Sequence, residues 1–469
     1  MILKDYLANS LHYFYLLGIL TMKKIELLSP AGTIKNMRYA FAYGADAVYA
    51  GLPRYSLRVR NNDFLADNLA IGIKEAHQQG KKFFLAANVI PHNSKVKTFL
   101  NDLAPIIAMQ PDALIMADPG LIMMTKEAWP EMIIHLSVQA NTVNYAAVNF
   151  WKKLGVERVI LSRELSLGEI EEIRQRCPDM ELEVFVHGAL CIAYSGRCLL
   201  SGYFNHRDPN QGTCTNSCRW KYSTHSATEN AEGDVVRVDS SAVLPMSALN
   251  HAECGGAERH PLADQLYFLE EEGRPGEYLP VMEDENGTYI MNSKDLRAIE
   301  HVERLVAMGI DSLKIEGRTK SHYYVARTAQ AYRQAIDDAV AGRAFQPECL
   351  GVLENLASRG YTDGFYQRHS THEQQNYISG YSQSHQQQFC GEIKHYDDRT
   401  GMAYIDVKNK FAVGDRVELI LPSGNHDITV TAMQDKHGKA CQEALGGGYE
   451  VSIPLPAIAA DFGLLARYL

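Results

Sequence analysis

From Ile25 onward, short runs of apolar and β-branched residues alternate with longer stretches in which apolar residues recur every three or four positions. Runs of the first kind are typical of buried strands, and stretches of the second kind are typical of amphipathic helices. Eight runs are predicted to be strands: Ile25–Ser29, Ala47–Ala50, Phe83–Val89, Ala113–Ala117, Ile134–Gln139, Arg158–Ser162, Leu182–His187 and Ser312–Glu316. The helical stretches between them include Asn36–Tyr43, Leu69–Gln79, Val96–Met109, Tyr145–Leu154 and Leu167–Arg176. Eight strands that alternate with helices predict an α/β protein built on a TIM-like (β/α) barrel.

The same pattern predicts the domain organisation. The barrel is expected to span residues 23–385, with an insertion at residues 189–310 between its seventh and eighth strands. Within that insertion, residues 223–270 are polar and lack a clear period, so we expect a variable loop. Residues 386–469 alternate short apolar runs with turn residues, which predicts a small C-terminal all-β barrel domain. Its predicted strands are Cys390–Ile393, Ala403–Val407, Arg416–Leu421 and Ile428–Thr431.

The first 22 residues precede this pattern. We expect them to be a loosely attached extension, or translation to start at Met22, because no small-residue cleavage site follows the apolar run Tyr13–Leu20. No apolar run in the chain approaches the ~20 residues of a membrane span.

Composition limits the partners that the chain can have. The 469 residues carry a formal net charge of −10, with a pI near 5.9. This balance argues against a surface that is basic throughout, so any contact with RNA must be local. The nine cysteines show no disulfide-like pattern, and clustered thiolates need a reducing compartment. We therefore expect the protein to be cytoplasmic.

Four of the cysteines lie close together in the insertion, in a stretch rich in Gly, Ser, Asn and Arg. Their spacing is Cys-x6-Cys-x15-Cys-x3-Cys, and they are Cys191, Cys198, Cys214 and Cys218. Clustered thiolates suit zinc or iron–sulfur clusters. Only the last pair approaches the short spacing of a zinc knuckle, whereas iron–sulfur clusters accept more varied loops. The pattern favours an iron–sulfur cluster, which we expect to be of the [4Fe–4S] type.

Polar residues stand at or just after the carboxyl ends of the predicted strands, where TIM barrels carry their chemistry. The candidate catalytic residues are Arg58, His187, Glu316 and Arg318. The candidate substrate-binding residues are Arg54, Arg60, Asn88, Gln139 and Arg163. The arginines after the second strand suit a carboxylate metabolite or RNA phosphates, but salt bridges to nearby acidic residues explain them equally well.

Several of these segments carry a family resemblance. They are Leu27–Gly32, Gly44–Gly51, Arg54–Asn61, His135–Asn141, Ile160–Leu165, Met291–Leu296, Lys314–Arg318 and the cysteine stretch His187–Trp220. In this order they resemble the collagenase-like peptidase family of unknown catalytic type, and within it the branch that modifies tRNA uridine. The resemblance covers residues 23–469 apart from about 225–270.

The resemblance implies a TIM barrel and an enzyme that hydroxylates the wobble uridine of tRNA to 5-hydroxyuridine. It further implies prephenate as a co-substrate, and hence a small carboxylate metabolite beside tRNA among the partners. The C-terminal domain resembles β-barrel modules of translation factors, which leaves both an RNA-facing role and a packing role open.

A collagenase-like peptidase is the alternative enzyme. His372-Glu373-Gln-Gln-Asn376 has Asn where a zincin helix needs its second His, and no Gly-x-Ser-x-Gly motif occurs. A cysteine peptidase built on Cys191 and His187 is conceivable, although three neighbouring cysteines are more typical of a cluster. A radical-SAM motif is incomplete, because Cys214-x3-Cys218 lacks the third cysteine. A non-catalytic RNA-binding or maturation partner is the remaining alternative.

Overall fold

The computed structural model describes residues 24–56, 63–189, 295–356, 360–367, 387–456 and 461–469, together with Gly276 and the strands between residues 193 and 290. The predicted boundary at residues 385 and 386 and the predicted extension 1–22 lie outside these ranges. Among the described residues, no helix combines the length and the apolarity that crossing a membrane requires.

The first seven strands of a parallel barrel occupy the amino-terminal part of the chain. They are β1 (Glu26–Pro30), β2 (Ala47–Gly51), β3 (Lys82–Ala87), β4 (Ala113–Met116), β5 (Ile134–Leu136), β6 (Arg158–Ile160) and β7 (Glu181–Gly188). Six of them are preceded by helices or short helical turns on the outside. These are α1 (Ile34–Ala42), α2 (Ala66–Gln78), α3 (Asn93–Val96), α4 (Phe99–Ile107), α5 (Pro119–Ala128), α6 (Tyr145–Lys153) and α7 (Leu167–Arg176), with a 3-10 helix at Val138–Ala140.

Helix starts follow from local sequence. Thr33, Asp118, Asn144 and Ser166 each accept a hydrogen bond from a backbone N–H of the first turn. The side chain of Glu169 in turn accepts a hydrogen bond from the backbone N–H of Ser166, which completes a capping box. These caps determine the residue at which each helix begins, and therefore the length of the loop between the preceding strand and that helix.

The insertion contains strands where the sequence led us to expect a loop. Its strands are β8 (Ala193–Tyr194), β9 (Arg197–Cys198), β10 (Tyr222–Glu229), β11 (Val235–Arg237), β12 (Leu266–Glu271), β13 (Tyr278–Asp284) and β14 (Gly287–Ile290). In the described part, an antiparallel sheet runs in the order β11-β10-β12-β13-β14. The expectation of a variable loop over 223–270 was wrong in these stretches. In β10, residues 222–227 pair with the more apolar strand β12. The sequence of β10 is polar and shows no strand period, so this pairing with a partner strand determines its structure.

The barrel is completed after the insertion. This part contains β15 (Asp295–Arg297), a 3-10 turn at Ile299–His301, α8 (Val302–Ala307), β16 (Ser312–Ile315), α9 (His322–Val340), α10 (Glu348–Glu354) and β17 (Tyr361–Thr362). Strand β16 pairs in parallel with both β1 and β7, which closes the eight-stranded barrel. Strand β15 pairs antiparallel with the end of β7 and parallel with β17. The eight predicted strands and the fold class are confirmed.

The C-terminal domain is antiparallel throughout its described strands. They are β18 (Gln387–Asp397), β19 (Met402–Val407), β20 (Phe411–Ala412), β21 (Arg416–Leu421), β22 (Gly424–Thr429), β23 (Gln434–Asp435), β24 (Glu443–Ala444), β25 (Glu450–Pro454) and β26 (Leu464–Tyr468). The main sheet runs in the order β22-β21-β26-β18-β19-β25-β23. Ile420, Leu464 and Ala466 join the barrel's hydrophobic core, so the two domains share packed apolar surface.

Candidate active site at the barrel mouth

A cavity opens at the carboxyl ends of the barrel strands. Five predicted site residues, which follow four different strands, line it: Asn88, Gln139, Arg163, Glu316 and Arg318. Tyr49, Ser137, Phe185 and Lys314 line it as well and were not among the predicted site residues. Side chains distant in sequence therefore meet here because parallel strands place their carboxyl ends at one edge.

Glu316 lies near the middle of this group and is only 6% exposed. The Tyr49 hydroxyl donates to Glu316 Oε2 at 3.2 Å, and Arg163 Nη2 is 3.9 Å from the same oxygen. Gly188, at the end of β7, has φ +100°, and a Cβ there would lie 2.5 Å from the Glu316 carbonyl oxygen. Only glycine fits this approach of β7 to the chain after β16, so Gly188 fixes the position of Glu316.

Arg163 joins the cavity to the start of the cysteine segment. Its Nη1 donates to the Ala189 carbonyl oxygen at 2.8 Å, and its guanidinium carbon lies 3.8 Å from the centre of the Phe185 ring. A stacked and hydrogen-bonded guanidinium has few accessible rotamers, so Arg163 presents a fixed positive charge. Because Ala189 is two residues before Cys191, this bond connects the cavity to the backbone that leads to the cysteine segment.

Arg318 reaches the opposite side of the cavity. Its Nη1 donates to the buried Ser56 hydroxyl at 2.7 Å, and its guanidinium lies 5.9 Å from the Tyr49 ring centre. The guanidinium packs against Gly51, where a side-chain Cβ would clash with Arg318 Nη1. Gly51 is therefore the residue that makes room for Arg318.

Lys314 lines the cavity and was not among the residues predicted from the sequence. It is 3% exposed, and its Nζ donates to Glu183 Oε1 at 2.8 Å. Burial lowers the pKa of Lys314 below its usual value, although the charge of Glu183 acts in the opposite direction. The signal that identifies it is strand periodicity, since Lys314 is two residues before Glu316 and so points to the same side.

Beneath Lys314, charged side chains continue into the barrel interior. Arg158 Nη1 donates to Glu183 Oε2 at 3.0 Å and to Glu26 Oε1 at 2.5 Å. Lys82 Nζ lies 3.2 Å from the other oxygen of Glu26. The carboxylate of Glu183 is fully buried, so it needs this compensation.

His187 does not line the cavity. The register between β7 and β16 shifts after Lys314, so that Val186 forms a bulge, and the His187 ring packs against Tyr324, Tyr332 and Tyr361. A bulge re-aims the side chains that follow it. Burial, followed by the charges of Lys320 and Arg297, lowers the pKa of His187 to about 3, so the ring is neutral.

Of the three predicted arginines after β2, the structure describes only Arg54, and Arg54 is not among the residues that line the cavity. Arg54 Nη1 donates to Asp102 at 2.8 Å, and 55% of the Arg54 side chain is exposed. Arg58 and Arg60 lie outside the described residues. The proposed roles of these three arginines stay predictions.

The predicted cluster ligands also fall largely outside the described residues. This applies to Cys191, Cys214 and Cys218, while Cys198 lies on β9, whose backbone pairs with β8 two residues after Cys191. Within the described ranges, no group of three or more His, Cys, Asp or Glu side chains is arranged to hold a metal ion. The described cysteines Cys177, Cys349, Cys390 and Cys441 are free, and burial raises the pKa of each thiol.

Sequence comparison places this architecture in a known family. Residues 32–376 match the profile of Peptidase family U32, and residues 385–467 match the Peptidase family U32 C-terminal domain. The chain belongs to peptidase family U32. This U32 protein is 59% identical over 448 residues to tRNA hydroxylation protein P of Escherichia coli (strain K12), which covers 95% of this chain and 97% of that protein.

Two further relatives show the breadth of the family. The U32 protein is 56% identical to tRNA hydroxylation protein P of Haemophilus influenzae, over 96% of this chain and 97% of that one. It is 24% identical to a protein named Collagenase from Porphyromonas gingivalis, over 93% of this chain and 96% of that one.

Proposed function

We propose that this U32 protein is a tRNA-modifying enzyme that hydroxylates the wobble uridine of tRNA to 5-hydroxyuridine. The observation that carries the proposal is the 59% identity, over nearly the whole length of both chains, with a protein named for tRNA hydroxylation. A tRNA substrate and a thiolate cluster agree with a cytoplasmic protein.

The barrel-mouth cavity supplies groups that suit this chemistry. Arg163, Arg318 and Lys314 bring three cations to its lining, and we propose that they attract the small carboxylate co-substrate, prephenate. Asn88 and Gln139 add neutral donors and acceptors of the kind that recognise the edge of a base. Glu316 contributes a carboxylate that Tyr49 and Arg163 hold in place.

Replacing the C5–H bond of uracil by C5–OH removes two electrons from the ring. We propose that the thiols of Cys191, Cys198, Cys214 and Cys218 hold an iron–sulfur cluster, which when bound supplies one-electron transfer steps. Their soft donor set fits such a cluster, and the free cysteines of the described residues have thiols whose pKa is raised by burial, which disfavours metal binding. The bond from Arg163 to Ala189 connects the cavity to the segment that carries Cys191.

A peptidase function has weaker support. The family name and the collagenase relative favour it, but the described residues that line the cavity include no histidine and no cysteine. Ser137 accepts from the Gln139 N–H at 3.4 Å and lies 3.4 Å from Asn88 Nδ2, and neither of these two contacts is with a general base.

Nucleoside analysis of tRNA tests the proposal. A strain lacking this gene and any parallel pathway is expected to lose 5-hydroxyuridine and its derivatives, and the wild-type gene is expected to restore them. Unchanged 5-hydroxyuridine would count against the enzyme. Binding of tRNA by purified protein, without modification in a complete reaction, would favour the non-catalytic partner instead.

Cysteine variants test the cluster. The protein purified without oxygen is expected to be coloured and to contain iron and sulfide, and any one Cys→Ala change among the four ligands is expected to bleach it and abolish modification. Cys441→Ala is the matched control, because Cys441 is a free thiol in the C-terminal domain. A colourless protein with one zinc would remove the iron–sulfur claim. Loss of activity in Cys191→Ala alone, with normal colour in the other three variants, would restore the peptidase alternative.

A further inference from the structure

Lys314 stands at the centre of an arrangement of three cations around two aromatic rings. Its Nζ lies 4.4 Å from the centre of the Tyr49 ring and 5.4 Å from that of Phe185. Arg318 faces the same Tyr49 ring, and Arg163 faces the same Phe185 ring. Lys314 is therefore flanked by an arginine across each ring, at the inner end of the cavity.

The ion pair with Glu183 accounts for the buried charge of Lys314 but not for its place in the lining of the cavity. The interior of a TIM barrel is normally filled by branched apolar side chains, and burying charge is costly. Glu183 also receives a hydrogen bond from Arg158, but that guanidinium is shared with Glu26 and Glu181, so Lys314 contributes to the compensation of Glu183. Unlike Arg158, Lys314 also lines the cavity, where its buried positive charge is available to a bound ligand.

We propose that the ammonium group of Lys314 binds a carboxylate group of the small co-substrate at the bottom of the barrel-mouth cavity, with Glu183 holding that ammonium in position. This inference rests on the proposed function and assigns the anchor of its co-substrate. The arginines on either side then bind the remaining oxygen atoms of the ligand, since guanidinium groups match planar carboxylates.

The surroundings favour a small carboxylate over an RNA phosphate. Lys314 is almost fully buried, so only a narrow group reaches it, and a phosphodiester carries bulky sugars on both sides.

The test uses a variant designed to fold. Lys314→Met alone leaves Glu183 with one cation fewer, so it is combined with Glu183→Gln, which removes both charges of the pair and leaves Arg158 bonded to Glu26. Glu183→Gln alone and Lys74→Met, at an exposed helical lysine outside the cavity, are the controls. Denaturation curves establish that each variant folds. Calorimetry on the full-length protein measures the binding of prephenate and, separately, of inorganic phosphate, and filter binding measures tRNA.

Prephenate is expected to bind about tenfold or more weakly to the double variant, as for the loss of a charge-assisted hydrogen bond. Lys74→Met is expected to bind like wild type, and the tRNA affinity of all variants is expected to be unchanged. Equal prephenate affinity in the double variant would overturn the inference, as would wild-type protein that does not bind prephenate. A loss of tRNA or phosphate binding with prephenate binding intact would identify a phosphate site instead.

A measurement on wild-type protein keeps the test independent of folding. The rate at which acetic anhydride modifies Lys314, followed by peptide mass spectrometry, is expected to fall roughly tenfold at a prephenate concentration about ten times its Kd. Equal rates with and without prephenate would overturn the inference. Prephenate binding at Lys314 in a protein that leaves tRNA uridine unmodified would count against the proposed function alone.

Discussion

The contact between the barrel and the C-terminal domain includes one buried ion pair. Arg327, on α9, is 1% exposed, and its Nη1 and Nη2 lie 3.2 and 2.9 Å from the two carboxylate oxygens of Glu418 on β21. Gln387 and Asn425 also donate to Glu418, at 2.9 and 2.8 Å. A bidentate pair in this setting fixes the orientation of the two domains relative to each other.

Arg327→Met is expected to destabilise the domain contact strongly. Removing one partner of a buried pair typically costs about 3–5 kcal/mol, because the other charge stays buried without compensation. We expect the lower end, about 3 kcal/mol, since the amides of Gln387 and Asn425 still donate to the remaining carboxylate. Combining Arg327→Met with Glu418→Gln removes that charge, and the double variant is expected to recover part of the loss.

Native-state hydrogen exchange of the β21 and β26 amides measures this cost locally, which a single unfolding curve of a two-domain protein does not. The matched control is Arg416→Met, because Arg416 is 64% exposed, forms an ion pair with Asp427 and lies on the same strand as Glu418. Exposed pairs contribute at most about 1 kcal/mol. If Arg327→Met costs no more than Arg416→Met, the buried pair does not hold the domains together and the reasoning is wrong.

Three further variants test the site. His187→Phe is expected to keep tRNA modification. The pKa of the ring is about 3 in the native protein and near 6.5 in the unfolded chain, so the free energy of unfolding of wild type falls as pH decreases between these values. Relative to wild type, the free energy of unfolding of the variant is expected to rise by about 1.4 kcal/mol for each pH unit of this decrease. Denaturant titration at several pH values measures the difference. Gly51→Ala is expected to displace the Arg318 guanidinium and weaken prephenate binding in calorimetry, and the change is expected to have no additional effect in an Arg318→Ala background. Glu316→Gln is expected to reduce 5-hydroxyuridine in tRNA without unfolding the protein, because the amide keeps the shape of the side chain; full activity would remove Glu316 from the site.

Strand positions in the barrel were predictable because parallel strands buried on both faces leave continuous apolar runs. The run Ala113–Ala117 predicted β4 (Ala113–Met116) to within one residue. Knowing where the strands end was enough to predict that Asn88, Glu316 and Arg318 meet in one cavity. The general rule for TIM barrels supplied that placement, and it needed no contact between particular side chains.

The same rule failed for His187 because it assumes regular strands. Alternation along β7 points Glu183 and Phe185 inward, and it predicts the same for His187. The bulge at Val186 breaks this alternation and turns the ring toward the helices, and a bulge depends on the partner strand β16. Lys314 was missed although the alternation along β16 places it on the same side as Glu316, because the partner that makes a buried lysine tolerable, Glu183, lies on another strand.

Arg163 connects the cavity to the backbone that leads into the cysteine segment. Its guanidinium contacts Glu316, Phe185 and the Ala189 carbonyl oxygen, so the start of the insertion is held against the barrel mouth by a residue of the cavity itself. Gly188 brings the same stretch of backbone against the Glu316 carbonyl oxygen. Two contacts therefore connect the backbone at residues 188 and 189 to a cation and a carboxylate of the cavity. In the function that we propose, these contacts link the substrate cavity to the start of the segment that carries Cys191.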